Sequence, residues 1–333
     1  MPRPGGRIWL ALATLIAALA ALASCGGPLP PEDPFYLGSA KDDLSRGNHW
    51  YLRGCTREAA RFYGEALTDA RLSDSVPHIV MALNALGAAR LAQGDLAAAA
   101  GLLDEAAGLS RSDPSNPELS AVLGNLGTLA WRAGRHEDAL AFWEDAAARA
   151  TGRGENPSVY LASIARAALP GGRGPGGTPR PSGASGSPEA FAAALERATA
   201  SLELPGASES ARADIRNLQA RDALMRGDSS QARVWLNEAL EIDRRLESQG
   251  ALAEDLELEA ELASDGGDSS GAAASLERAF YLRAALEDRE GMRRILEALK
   301  TTARDGGIAR DLAPLEAVMR DPALFSPFES RCP

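Results

Sequence analysis

Apolar residues recur at helical rather than strand spacing along most of this chain. Met292, Ile295, Leu296 and Leu299 fall on one side of a predicted helix over 290–304. Phe191, Leu195 and Leu202 do so over 188–204, and Val159, Ile164 and Ala165 over 156–169. Steps of three and four place such positions on one helical face, whereas a half-buried strand alternates every second residue. The pattern is itself repeated. Between Val80 and Thr151, Gly87, Gly94, Ala99 and Ala106 return as Gly127, Gly134, Ala139 and Ala146, each 40 residues later. The same spacing backwards reaches Gly54, with Ala59, Tyr63 and Ala66 following it. Further on, Gly227, Ala232, Leu236 and Ala239 recur as Gly267, Ala272, Leu276 and Ala279. Self-similarity at such a period predicts stacked helical units, none of which buries its apolar face alone.

Helix boundaries follow from local chemistry. Asp113-Pro114 and Asn116-Pro117 precede a helix starting near Glu118. Ser187-Pro188-Glu189 supplies a cap, a proline at the first helical position and an early acid, and Asp74-Ser75-Val76-Pro77 does the same before residue 78. Gly306-Gly307 ends the helix over 290–304, and a further short helix is expected within 309–320. Residues 170–188 are rich in glycine, proline and serine and have nothing to pack, so they read as a disordered insertion. They either expand the turn of a fourth helix pair or act as a hinge between two lobes; complementary apolar stripes on both sides favour the former.

These residues resemble the tetratricopeptide repeat: Leu-Gly in a first helix, glycine near the turn, then Ala, a large residue and Ala in a second. Residues 86–106 and 126–146 match well and 47–66 moderately. Residues 220–239 and 260–279 replace Leu-Gly with Gln219-Ala220 and Glu259-Ala260. The resemblance implies an all-α, right-handed solenoid of about six helix pairs over 40–286, with capping helices over 287–320 and an irregular tail over 321–333. Small residues are expected where paired helices approach, and Tyr63, Leu103, Trp143, Leu236 and Leu276 in the seam toward the next repeat. The first helix of each repeat would line a groove, which places Asn48, Tyr51, Asn84, Thr128, Trp131, Arg132, Asn217, Arg221, Glu257 and Glu261 on it. Glu254, Glu257, Glu261 and Asp265 would form one acidic stripe facing a basic segment of a partner, or simply a solvated face. The lysine-rich clamp of chaperone-binding members is missing, so recognition of a C-terminal carboxylate is not expected.

Charge and the N-terminus narrow the setting. The 333-residue chain carries a formal net charge of −11, which disfavours nucleic acid. Residues 1–24 combine Arg3 and Arg7 with an apolar run from Ile8 to Ala23, as a secretory signal does. The run ends in Leu22-Ala23-Ser24-Cys25-Gly26, which resembles a bacterial lipobox; the resemblance implies a lipid on Cys25 after cleavage. Gly26 in place of an acid implies delivery to the outer membrane, facing the periplasm. Residues 25–39 then hold the lipidated cysteine and a flexible, proline-rich tether. An ordinary signal peptide on a secreted carrier is the alternative.

Cys55 and Cys332 remain as a candidate disulfide, set against unpaired or intermolecular thiols. His49, His78 and His136 lack metal-ligand spacing, so no metal site is expected, and surface or packing roles are expected for all three. Gly171 to Gly177 lacks the Lys-Ser/Thr of a phosphate loop. No catalytic residue, cofactor or small-molecule substrate is indicated. The expectation is a membrane-anchored scaffold for an envelope protein or peptide segment; similar lipoproteins serve pilus secretins or peptidoglycan hydrolases. An unrecognised enzyme is the rival class.

Overall fold

The computed structural model describes residues 34–112, 116–171 and 187–321. These form fourteen helices and, among the described residues, no strand. In chain order they are α1 (Phe35–Leu52), α2 (Thr56–Leu72), α3 (Val76–Ala92), α4 (Leu96–Ser112), α5 (Leu119–Arg132), α6 (His136–Gly152) and α7 (Ser158–Ala168). There follow α8 (Pro188–Ser201), α9 (Glu209–Met225), α10 (Ser229–Arg245), α11 (Gln249–Asp265), α12 (Ser269–Ala285), α13 (Arg289–Asp305) and α14 (Ala313–Arg320). Each odd-numbered helix packs on the even one after it, and odd-numbered neighbours also touch directly: α1 with α3, α3 with α5, α7 with α9, and α9 with α11. The molecule is an all-α solenoid whose inner layer is the odd-numbered helices.

Packing within a pair rests on size complementarity. A Cβ on Gly127 would stand 2.6 Å from Cδ1 and 2.8 Å from Cε2 of Trp143, and one on Gly87 would stand 2.8 Å from Cγ of Leu103. Gly47 lies in the same way under the ring of Tyr63. Of the large residues expected in the seam toward the next repeat, Tyr63, Leu103 and Trp143 therefore sit over the glycine of their own repeat. The physical reason is distance: only a residue without a side chain lets two helices close on an indole or phenol.

Turns within the pairs repeat one geometry. Gly94 and Gly134 hold φ of +80° and +78°, and the chain reverses as Gly134 N–H donates to the Trp131 carbonyl (3.0 Å) and Arg135 N–H to that of Ala130 (2.8 Å). Three turns between pairs differ. Asp74, Glu247 and Glu287 adopt left-handed backbone without being glycine, at φ +52°, +54° and +54°. At α8 the Ser187 side chain accepts from Ala190 N–H (3.0 Å), so the cap read from sequence forms. Ser75 instead bonds His78 Nδ1 (2.8 Å) and leaves the backbone uncapped.

The core runs without a break through α7 and α8. Trp143 of α6, Ile164 of α7, Phe191 and Leu195 of α8 and Ile215 of α9 belong to one buried cluster. Val159, expected on the apolar stripe of α7, is exposed instead. Residues 172–186 between α7 and α8 lie outside the described residues, as do the N-terminal 33 and those after Asp321.

The solenoid also comes back on itself. Arg53 and Arg57, flanking the α1–α2 turn, reach Glu247 and Glu287 in the α10–α11 and α12–α13 turns at 3.0 and 2.7 Å. The intervening Cys55 is buried and disulfide-bonded. Its two candidate partners, Cys25 and Cys332, both lie outside the described residues.

Candidate partner-binding face

The face is built by α1, α3, α5, α7, α9, α11 and α13. Its N-terminal half is mostly occupied with internal hydrogen bonds. Asn48 accepts from the Tyr63 hydroxyl (2.8 Å), and Asn125 donates to Asn84 across α3 and α5 (2.8 Å). Thr128 donates its hydroxyl to the Gly124 carbonyl (3.2 Å). Asn48 and Asn84 thus satisfy neighbouring polar groups in a packed setting, where an unmet partner is costly.

Trp131 is a correction. Only 4 % exposed, it packs edge-on against His136 (4.3 Å between ring centres) and tilted against Trp143 (6.0 Å). An indole at the C-terminal end of α5 buries more apolar surface against α6 than it could on the groove wall. Its neighbour Arg132 does point inward, donating Nη1 to the Leu91 carbonyl. Burial works against the Arg132 charge and lowers its pKa, with Tyr51 and Asp288 opposing the shift. The Tyr51 phenol keeps 36 % of its surface yet is hemmed in by protein, so desolvation raises its pKa while Arg132 lowers it.

The C-terminal half is a charge network. Arg166 of α7 pairs with Asp214 of α9 (2.9 Å) and with Glu254 of α11. Burial disfavours its charge, but the two carboxylates outweigh that and hold the guanidinium firmly protonated. Arg283 and Arg294 converge on Glu257 at 2.9 and 2.6 Å, and Arg283 also reaches Asp288 (3.5 Å). The acidic stripe read from sequence is thus largely neutralised from within. Glu254 and Glu257 are held by arginines, whereas Glu261 stands 3.8 Å from Arg221 and Asp265 accepts from the Ser229 hydroxyl (2.6 Å). Arg166, Arg283 and Arg294 escaped the sequence reading because they come from other helices than the acids they meet.

Asn217 is the second correction. At 3 % exposure it lies beneath the face, donating Nδ2 to Asp255 (2.7 Å) and accepting from Arg221 Nε (3.0 Å). Asp255 lies near Asp243 of α10, also buried, so each bears on the other's protonation. Desolvation raises both pKa values, so this buried pair retains a proton that ordinary aspartates have lost. A neutral amide is what such a pair requires beside it.

A trough of about 560 Å³ runs along α9, α11 and α13, and a smaller opening of about 410 Å³ lies on α6, lined by Asp138, Phe142 and Asp145. The trough is lined by Leu224 and Ala298, both half-buried, by the buried Ala260 and Ile295, and by the polar Glu261, Ser264 and Asp265. An apolar floor with polar edges accommodates side chains of an extended or helical segment. Among the described residues no group of histidines, cysteines and carboxylates is arranged to hold a metal ion, and no helix is long and apolar enough to cross a membrane.

Paired helices, turn glycines and an inner face of side chains define a helical-repeat solenoid. Residues 78–152, spanning α3 to α6, match the tetratricopeptide repeat family model. No curated protein matches the chain. Among solved structures, the TPR2AB-domain:pHSP90 complex of yeast Sti1 is 14 % identical, covering 85 % of this chain and 98 % of that one, with a TM-score of 0.29. BtubC (BKLC) from P. vanneervenii is 16 % identical, covering 85 % and 93 %, with a TM-score of 0.31. Neither superposition is close enough to carry a property of either protein across.

Proposed function

We propose that the protein is a lipid-anchored scaffold of the bacterial cell envelope, tethered through Cys25, whose inner face holds a segment of another envelope protein. The observation that carries the binding half is the open trough on α9, α11 and α13. There the half-buried Leu224 and Ala298 border the opening beside Glu261 and Asp265, over the buried Ile295. A fold that spends its side chains on packing and ion pairing, with its larger opening on the inner face, suits capture rather than catalysis. The anchoring half rests on the lipobox-like Leu22-Ala23-Ser24-Cys25 and the tether after it.

The test places a photo-crosslinking residue at Glu261 or Ala298 in cells, with Val234 of α10, which is exposed and lies off the inner layer, as control. The same partner recovered from both trough positions and not from Val234 supports the reading. Identical yields from all three positions, or none from any, sink it. Fatty-acid analogue labelling of wild type and Cys25→Ala tests the anchor: label absent from wild type, or persisting in the variant, removes that half.

A further inference from the structure

The contact between the first repeat and the late ones includes two ion pairs, Arg53–Glu247 and Arg57–Glu287, separated along the chain by most of the solenoid. We propose that these pairs are a latch: they hold the two edges of the solenoid together, and their release opens the inner face to its partner. The second half of this statement rests on the proposed scaffold function; the first does not.

Three features of the edge point the same way. First, the acids come from equivalent turns, one helix pair apart, and both sit at φ +54°. The turns at Gly154 and Gly206, also between pairs, use glycine for left-handed backbone. Asp74, in the α2–α3 turn, holds φ +52° as well, so what sets the two glutamates apart is that their carboxylates reach Arg53 and Arg57. Second, the edge is fitted: Leu286, next to Glu287, lies over Gly54, where any Cβ would collide with it. Third, the pairs are wet. The side chains of Arg57 and Glu287 keep 74 % and 69 % of their surface, so water and salt compete for them continuously. One apolar contact, Leu286 over Gly54, is small beside a packed core, so exposed ion pairs close the edge reversibly. The other charges at this edge are Asp288, beside Glu287, and Arg132, which comes close enough to Asp288 for the two to interact.

The experiment uses the full-length protein in solution, with reductant present because the Cys55 disulfide lies between the two arginines. Small-angle scattering reads the radius of gyration, and amide hydrogen exchange reads the turns at 53–56, 246–249 and 286–289. Reversal of both arginines, Arg53→Glu with Arg57→Glu, is expected to enlarge the radius and speed exchange in all three turns severalfold. An acid at Arg57, in the first turn of α2, suits the helix dipole, so the fold tolerates the change. Adding Glu247→Arg and Glu287→Arg restores the compact radius and slow exchange. High salt opens the wild type in the same way, which decides the matter should the reversed chain not fold.

Unchanged radius and exchange under both treatments overturn the latch, as does a swapped pair that fails to restore closure. Crosslinking from Glu261 in the charge-reversed protein tests the link to binding. A yield raised above wild type is expected, and an unchanged yield with an opened coil overturns the gating role. Absence of crosslinks even in the wild type sinks the scaffold reading and leaves the scattering result standing.

Discussion

The indole of Trp143 lies over Gly127 so closely that the glycine hydrogen occupies the only space available to it, while Nε1 donates to the Gly124 carbonyl (3.0 Å). Gly127→Ala forces α5 and α6 apart or turns the indole out of its hydrogen bond. Overpacking of this kind costs about 1–3 kcal/mol, and the better helix propensity of alanine returns only about 1 kcal/mol of it. Gly101→Ala in α4 is the internal control, since nothing stands within 4 Å of its would-be Cβ. Chemical denaturation is expected to show the first variant destabilised and the second stabilised.

The repeat was legible because its determinants are local and periodic. Gly87, Gly94, Gly127 and Gly134 announce close approach and left-handed turns wherever they occur, and no partner has to be known. The inner face was harder to read. Asn84 and Arg132 are half-buried and hydrogen-bonded to other inner helices, whereas Trp131 and Asn217 are buried, because one helical position decides between groove and core and spacing alone does not fix that rotation. The arginine network stayed hidden for another reason. Arg166 meets Asp214 and Glu254 across three inner helices, and a contact of that range depends on superhelical curvature that no short window contains. The edge contact of Arg57 with Glu287, 230 residues apart, is the extreme case.

Removing the charge of Arg166 tests whether the network is structural. Arg166→Met leaves Asp214 and Glu254 facing each other without their cation. Breaking a fully buried pair costs about 3–5 kcal/mol. Because Asp214 keeps 42 % of its side-chain surface, about 2–3 kcal/mol is expected here. Neutralising the two acids as well, with Asp214→Asn and Glu254→Gln, is expected to recover most of the loss in a thermal melt. Equal destabilisation by the single and triple changes would show that packing rather than charge is at stake.

The Asp243–Asp255 pair gives a pH dependence with a definite sign. Burial raises both pKa values above the unfolded value of 3.8, so between that value and neutrality the folded chain binds a proton that the unfolded chain releases. The stabilisation is complete below 3.8 and is lost as pH rises through the raised values. Asp214 and Glu254 push the same way and Arg166 opposes them at Asp243, while Asn217 steadies the charged form of Asp255. Asp255→Asn keeps an oxygen for the Asn217 amide and supplies a permanent donor to Asp243. Its melting temperature is expected to exceed that of wild type by a margin that widens from pH 5 to pH 9. A margin independent of pH would mean that the pair does not hold an extra proton.

Glutamate at a left-handed turn position separates stability from closure. Glu247→Gly and Glu287→Gly each relieve a backbone penalty of about 1 kcal/mol. Each also removes an exposed ion pair worth about 0.2–1 kcal/mol. Global unfolding is therefore expected to be unchanged or slightly harder, while amide exchange in the α1–α2 turn becomes faster because its opposing edge is released. Asp74→Gly completes the comparison. Asp74 holds φ +52° and lies in the turn between α2 and α3, away from that edge. It should gain the backbone benefit with no change in exchange at residues 53–56. If all three glycine variants behave alike in both measurements, the two glutamates are ordinary turn residues and their ion pairs do not hold the coil closed.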